Sequence, residues 1–262
     1  VNGASTWSGG TMSGAGSTTF NGALALSGTN VKDLSGGRTL NTTGTTTWTN
    51  SSFNSAGRIR TGGGVTINNT GAWLDQNLFD TQISNDFGGA ASTFVNAGSY
   101  TKSGAGNTSI QIAFNNSSSG VGTGVVNVNS ATLAFNAGGT SNGSFDGTGT
   151  LAFSGGTHDL TAASTIASPN VTFSGGTTNL AGSYSVAGTT TVSGGVANFN
   201  GTVANTGGNL MVSAGTANFS NTAGVVVSAL NLTGGTIAGT QGLTVNGAST
   251  WSGGTMSGAG ST

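Results

Sequence analysis

LAFSGGTHDL at 151–160, VTFSGGTTNL at 171–180, TTVSGGVANF at 190–199, LMVSAGTANF at 210–219 and LNLTGGTIAG at 230–239 are five versions of one ten-residue phrase. Its Ser-Gly-Gly-like turn begins at Ser154, Ser174, Ser193, Ser213 and Thr233 and returns at Ser252, at intervals of 20, 19, 20, 20 and 19. A period near twenty with turn residues at one fixed phase is the mark of a solenoid, in which each coil stacks on the one before.

Aligning the phrases turns them into columns. Before each turn stands a bulky residue, giving Phe153, Phe173, Val192, Val212, Leu232 and Trp251, and two residues earlier lie Leu151, Val171, Thr190, Leu210, Leu230 and Ser249. A spacing of two places both columns on one face of a strand. After the turn, Leu160, Leu180, Phe199 and Phe219 mark a second strand, and Tyr184 with Val186 and Leu243 with Val245 mark a third. Three short strands and three turns per coil predict an all-β chain, a right-handed parallel β-helix with three faces and about 20 residues per coil; the handedness is that of parallel crossovers in general. At roughly 4.7–4.9 Å per coil, about twelve coils make a rod of about 58 Å. Positions 1–130 are less regular, although Leu24, Leu26, Val31, Leu40, Val65, Ile67, Phe94 and Val95 fit strands between Gly-rich turns. No boundary is visible, and residues 1–262 read as one solenoid domain.

The composition agrees with that architecture. Only 4% of the residues are charged, there is no Glu, and 50 of the 262 positions are Gly. The strong helix formers are nearly missing. Disorder is also disfavoured, because disordered chains join low hydrophobicity to high net charge, whereas this chain is 34% apolar with a net charge of -1. Five cations, all between Lys32 and Lys102, are too few for a nucleic-acid surface. No cysteine and no transmembrane-length apolar run are present.

A longer repeat encloses the short one. VNGASTWSGGTMSGAGST occupies 1–18 and again 245–262, so the sequence restarts after 244 residues. We read the chain as one unit of a tandem array plus the start of the next. Trp251 continues the column of Phe153 and Phe173, and the same role is expected of Trp7 in the earlier copy.

TWSGGTMSGAGST at 6–18, VNAGSYTKSGAGNTSI at 95–110 and FNNSSSGVGTGVVNVNSATLAF at 114–135 resemble coils of the large bacterial surface proteins built on parallel β-helices, the filamentous haemagglutinin-type adhesins and autotransporter passenger domains. The resemblance implies secretion and display outside a bacterial cell. It assigns no catalytic residue, since such proteins work through long stacked surfaces.

Candidate sites are few. The segment at 74–87, LDQNLFDTQISNDF, has no Gly and reads as a loop or helical turn outside the rod, with Asp75, Asp80 and Asp86 solvating it. Acting together, those carboxylates are the only sequence basis for a polysaccharide-active enzyme. Arg58 and Arg60 flank Ile59 and should project from one face to dock on Asp75, Asp80 or Asp86 of a neighbouring loop or rod. His158 falls in an inward column and reads as a hydrogen-bonded core residue. Asp159, Asn179, Asn198 and Asn218 form an outward polar ladder, alternatively a glycan- or ion-binding stripe. The pairs Thr45 with Thr47, Thr148 with Thr150, and Thr189 with Thr191 have the spacing of an ice-binding array but do not recur in every coil. Neither a cofactor nor a metal site is assigned. The expected function is therefore non-enzymatic: an extracellular filament, stalk or matrix fibre whose partners are further copies of the repeat, in tandem or head-to-tail. The alternative is an adhesin that binds a glycan or host surface through the rod face or the 74–87 loop.

Overall fold

The computed structural model describes residues 1–117, 124–221 and 223–260. Part of the quoted 114–135 segment and the last two residues of the second VNGASTWSGGTMSGAGST lie outside the described residues. The described residues form 34 strands and no helix, and every strand pairing is parallel. Three strands recur in a constant order, from Ser5–Trp7, Gly10–Ser13 and Ser17–Phe20 in the first coil to Leu243–Val245, Thr250–Trp251 and Thr255–Met256 in the twelfth. We call the stacked first strands face 1, the second strands face 2 and the third strands face 3. Face 1 is a ten-stranded sheet followed by the pair Val225–Val227 and Leu243–Val245, which gives its twelve levels. Faces 2 and 3 are one 22-stranded sheet, because Thr189–Phe199 and Asn209–Phe219 run straight through the corner between them.

Strands of three or four residues have little stability alone; stacking supplies it. Thr66–Asn69, Ala72–Asp75 and Ser99–Lys102 each alternate half-buried with buried residues, so each sends two side chains inward. On face 2 the inward column runs Lys32, Ile59, Ile83, Ile110, Phe135, Phe153, Phe173, Val192, Val212, Leu232 and Trp251, in register throughout. Its intervals are 27, 24, 27 and 25 down to Phe135, and 18 to 20 from there on. The twenty-residue coil is thus a property of the second half. The first half has the same three strands but longer corners, which is why its period is hard to read.

An aromatic spine fills the rod. Trp48, Trp73, Phe94, Phe114, Phe135, Phe153, Phe173, Phe199 and Phe219 touch in sequence, with ring centroids 4.4–6.4 Å apart. Edge and offset contacts of this kind add to the burial of each ring.

The structure corrects the reading of the 74–87 segment. Ala72–Asp75 is a strand of face 1 and Thr81–Ser84 a strand of face 2, so only the connections around them lie outside. Asp75 is 0% exposed and cannot solvate a loop. A charge faces inward there because neighbouring donors hold it. The Tyr100 and Thr108 hydroxyls donate to Oδ2 at 2.9 and 2.6 Å, and Asn77 donates its Nδ2 and backbone N–H to Oδ1 at 2.7 and 3.3 Å.

The two copies of the duplicated stretch are also placed differently from the expectation. Trp251 sits under Leu232 on face 2, in the expected column. Trp7 instead sits above Leu26 on face 1, in line with Trp48. Identical residues thus occupy adjacent faces, because the chain between them makes eleven coils and one further face.

Candidate functional site

The outward ladder lies on face 3. Asp159, Asn179, Asn198 and Asn218 are in register on successive coils. Their side chains bond in one direction: Asn179 Nδ2 donates to Asp159 Oδ1 at 2.7 Å, Asn198 to Asn179 at 2.8 Å, and Asn218 to Asn198 at 3.0 Å. The file ends on a carboxylate, the strongest acceptor available to it.

The same line extends into the irregular half, where spacing conceals it. Thr19, Asn41 and Asn68 lie in its column, with Asn41 Nδ2 donating to Thr19 Oγ1 and Asn68 Nδ2 to Asn41 Oδ1, both at 3.2 Å. Val95 interrupts it, and Asn115 resumes it by accepting the Thr140 backbone N–H at 2.9 Å. Apart from Val95 and from Ala238, which follows Asn218 in the same register, face 3 presents a file of small polar side chains at about 4.8 Å intervals. Each amide keeps donor and acceptor capacity for a partner lying flat on the face.

A second ladder, absent from the sequence reading, lies inside the same strands. Thr42 Oγ1 donates to Asn69 Oδ1 at 3.1 Å, Asn69 Nδ2 to Asn96 at 2.8 Å, and Asn96 Nδ2 to Asn116 at 2.9 Å, all four residues being fully buried. Asn69, Asn96 and Asn116 also donate to the carbonyls of Ser99, Val125 and Ser144 at 3.0 Å, tying face 3 to the strands of face 1. The sequence signal was the adjacent polar pair Asn41-Thr42, Asn68-Asn69 and Asn115-Asn116, one member outward and one inward. Asn96→Leu is expected to cost about 3 kcal/mol, since it leaves an Asn69 donor and the Asn116 acceptor unpaired in the core; a urea-midpoint shift measures it. Asn198→Leu, on the solvent side, should cost well under half of that.

The charged side chains are consumed within the chain. Arg60 Nε and Nη2 each donate to Asp33 at 2.8 Å, and the guanidinium carbon lies 5.1 Å from the centre of the Phe87 ring. The hydrogen bond to Asp33, followed by the nearby carboxylate charges, pushes the Arg60 guanidinium further up from its ordinary value. Arg58 reaches Asp86 at 3.6 Å. Ile59 is buried between them, so both arginines project outward as expected. Arg58 thus meets one of the expected carboxylates, Asp86, within its own chain, while the rest of the expectation is corrected: Asp33, the partner of Arg60, was not among the candidates, Asp75 is in the core, and Asp80 Oδ1 accepts the Asn107 backbone N–H at 2.7 Å. The bridges close within one chain and leave these arginines poorly suited to bundle rods. Lys32 and Lys102 are buried, each donating to backbone carbonyls. Burial pushes both ammonium groups down from their usual range; for Lys102 the charges of Asp75 and Asp80 act in the opposite direction.

His158 lies in the core of face 3 against Phe135 and Phe153, with Nε2 3.0 Å from the Gly155 carbonyl, to which it donates in the neutral tautomer. Burial lowers its pKa, against the raising effect of that carbonyl. A folded-state pKa below the unfolded value stabilises the neutral form. This contribution is present above about pH 6.5 and is lost as pH falls through the folded-state value. Wild type should accordingly lose stability between pH 7 and 5 more steeply than His158→Thr, a substitution that copies Thr178 one coil away; urea melts at both pH values measure the difference in slope.

The three threonine pairs are scattered. Thr45 and Thr47 belong to face 1 and Thr189 and Thr191 to face 2, while Thr148 precedes the face-2 strand that starts at Thr150, so no common flat array forms. One apolar patch stands out on the surface. Phe53, Leu78 and Phe79 are 58%, 56% and 37% exposed on the corner between faces 1 and 2, where Asn50 exchanges hydrogen bonds with the Phe79 backbone. The best-formed depressions, of about 90 and 130 Å³, are far smaller than the roughly 300–1,000 Å³ of small-molecule sites. Among the described residues no three His, Cys, Asp or Glu side chains converge as a metal site, and no helix is long and apolar enough to cross a membrane.

No protein-family model matches the chain, and no curated protein or solved structure is significantly similar to it. The surface itself carries the functional reading.

Proposed function

We propose that the chain is a structural segment of a long extracellular bacterial filament, stalk or matrix fibre. The observation that carries this reading is a twelve-coil stack whose sequence at 245–262 repeats that at 1–18. A backbone ladder on three faces, an aromatic spine and two side-chain ladders give a rod that resists bending and pulling. Its surface is nearly uncharged, so like rods approach without strong repulsion. Electron microscopy of the full-length protein tests the proposal: thin rods support it, and compact globular particles overturn it.

The exposed Phe53, Leu78 and Phe79 corner favours a second role as an adhesive point on the same rod. Aromatic ring faces suit the C–H face of a sugar. Glycan-array binding that is lost in Phe53→Ser/Phe79→Ser supports it; equal binding by wild type and variant, or none by either, removes it.

A further inference from the structure

Resting on the tandem reading above, we infer that successive 244-residue units are turned about the rod axis by one face, a third of a revolution, and that the partner of the last coil is the 24–35 region of the following unit. The duplicated residues carry the inference. In the first copy, Ser5–Trp7 lies on face 1 and stacks on Leu24–Leu26, with Thr6 opposite Ala25 and Trp7 opposite Leu26, while Gly10–Ser13 lies on face 2 and stacks on Lys32–Ser35. In the second copy, Thr250 and Trp251 stack on Asn231 and Leu232 of face 2, and Met256 on Ile237 of face 3. Each copied strand has moved one face onward.

Local chemistry selects what comes next. The underside of 249–257 is identical in sequence to that of 5–13, which already holds a partner in this structure. Trp7, covered by the coil beneath it, is 7% exposed, whereas Trp251 is 61% exposed. Beside it a groove of about 90 Å³, lined by Phe219, Ile237, Leu243 and Met256, opens at the same end. A following Leu24–Leu26 strand under Trp251 covers that ring as Leu26 covers Trp7. It then lies on the line of face 2, and its whole unit is turned with it. Leu232 and Trp251 are register partners one ordinary coil apart, so no insertion at the junction restores the original phase.

Three units then make 34 coils, the first whole number. At about 4.8 Å per coil the unit advances roughly 54 Å and the full repeat is roughly 163 Å. The face-3 amide file passes to a new side at every junction. A rod so built meets neighbours in three directions and forms bundles instead of flat ribbons.

Helical reconstruction of filaments of the full-length protein tests the inference. A rotation of about 120° per unit with a repeat of about 163 Å is expected; a rotation near zero with a repeat of about 54 Å overturns it and leaves the filament intact. The absence of rods would instead overturn the filament reading. Within the 262-residue chain, which has no native cysteine, Asn231→Cys/Thr250→Cys is expected to form a disulfide, both sites being solvent-facing and in register. Crosslinking of Val226→Cys/Thr250→Cys in its place, which pairs the copied strand with the face-1 strand Val225–Val227, puts that strand back on face 1 and refutes the turn.

Discussion

Asp75→Ala is expected to be among the most damaging single substitutions in the chain, at about 3–5 kcal/mol, the range for breaking a buried charge network. The carboxylate collects the Tyr100 and Thr108 hydroxyls and the Asn77 amide, and all four residues are buried. Removing it strands three donors. It also withdraws the nearest negative charge from Lys102, its register partner in the next coil, whose ammonium burial already disfavours. Tyr100 does not compensate by ionising, because burial, the largest cause of its raised pKa, persists when Asp75 is gone. In a solenoid the damage should be local, since coils are stabilised chiefly by their neighbours. Hydrogen exchange should show lost protection in the strands Ala72–Asp75 and Ser99–Lys102, with Asn209–Phe219 unchanged. Asp80→Ala, on the exposed side, should cost under about 1 kcal/mol; equal effects of the two would refute the assignment of a buried network.

Gly176→Ala is expected to follow closely. Gly176 closes the Ser-Gly-Gly turn between faces 2 and 3 with φ +68, and a Cβ there would stand 2.1 Å from the Gly156 carbonyl oxygen of the coil above. The left-handed conformation costs a non-glycine residue roughly 1–2 kcal/mol. The clash is with backbone and cannot be relieved by a side-chain rotation, so overpacking adds roughly 1–3 kcal/mol. The expected total is about 3 kcal/mol, read as a lowered urea midpoint. Ser174→Ala, two residues earlier on the exposed side, loses one hydrogen bond to Ser154 and should fall within about 0.5 kcal/mol. Should the two variants melt alike, close stacking of the turns is not what selects glycine there.

Legibility in the sequence depended on the constancy of the coil. From Phe135 onward the interval hardly varies, and the column Phe153 to Trp251 and the ladder Asp159 to Asn218 fall out of a simple alignment. Before that, corners such as 49–58 and 85–92 hold extra residues between strands of ordinary length, so Asn41, Asn68 and Asn115 share a file that no fixed period connects. Polarity misled at Asp75, which faces inward, and it gave no sign that Asn69, Asn96 and Lys102 do the same. An alternating pattern gives the two sides of a strand, but an inward polar group is tolerated only when its neighbours in adjacent coils supply partners, and those neighbours lie a full coil away along the chain. The Arg60 partner Asp33 was hidden for the same reason, lying one coil back at a separation of 27.

By itself the sequence determined the parallel β-solenoid, the inward columns of its regular half and the glycine turns, because alternation and turn chemistry are local properties of the chain. Only the tertiary structure decided which coil each strand of the first half stacks on, where the buried polar ladder runs, and that the two copies of VNGASTWSGGTMSGAGST lie on different faces. Those are matters of phase around the rod, set by the summed lengths of many corners, and no single stretch of residues contains them.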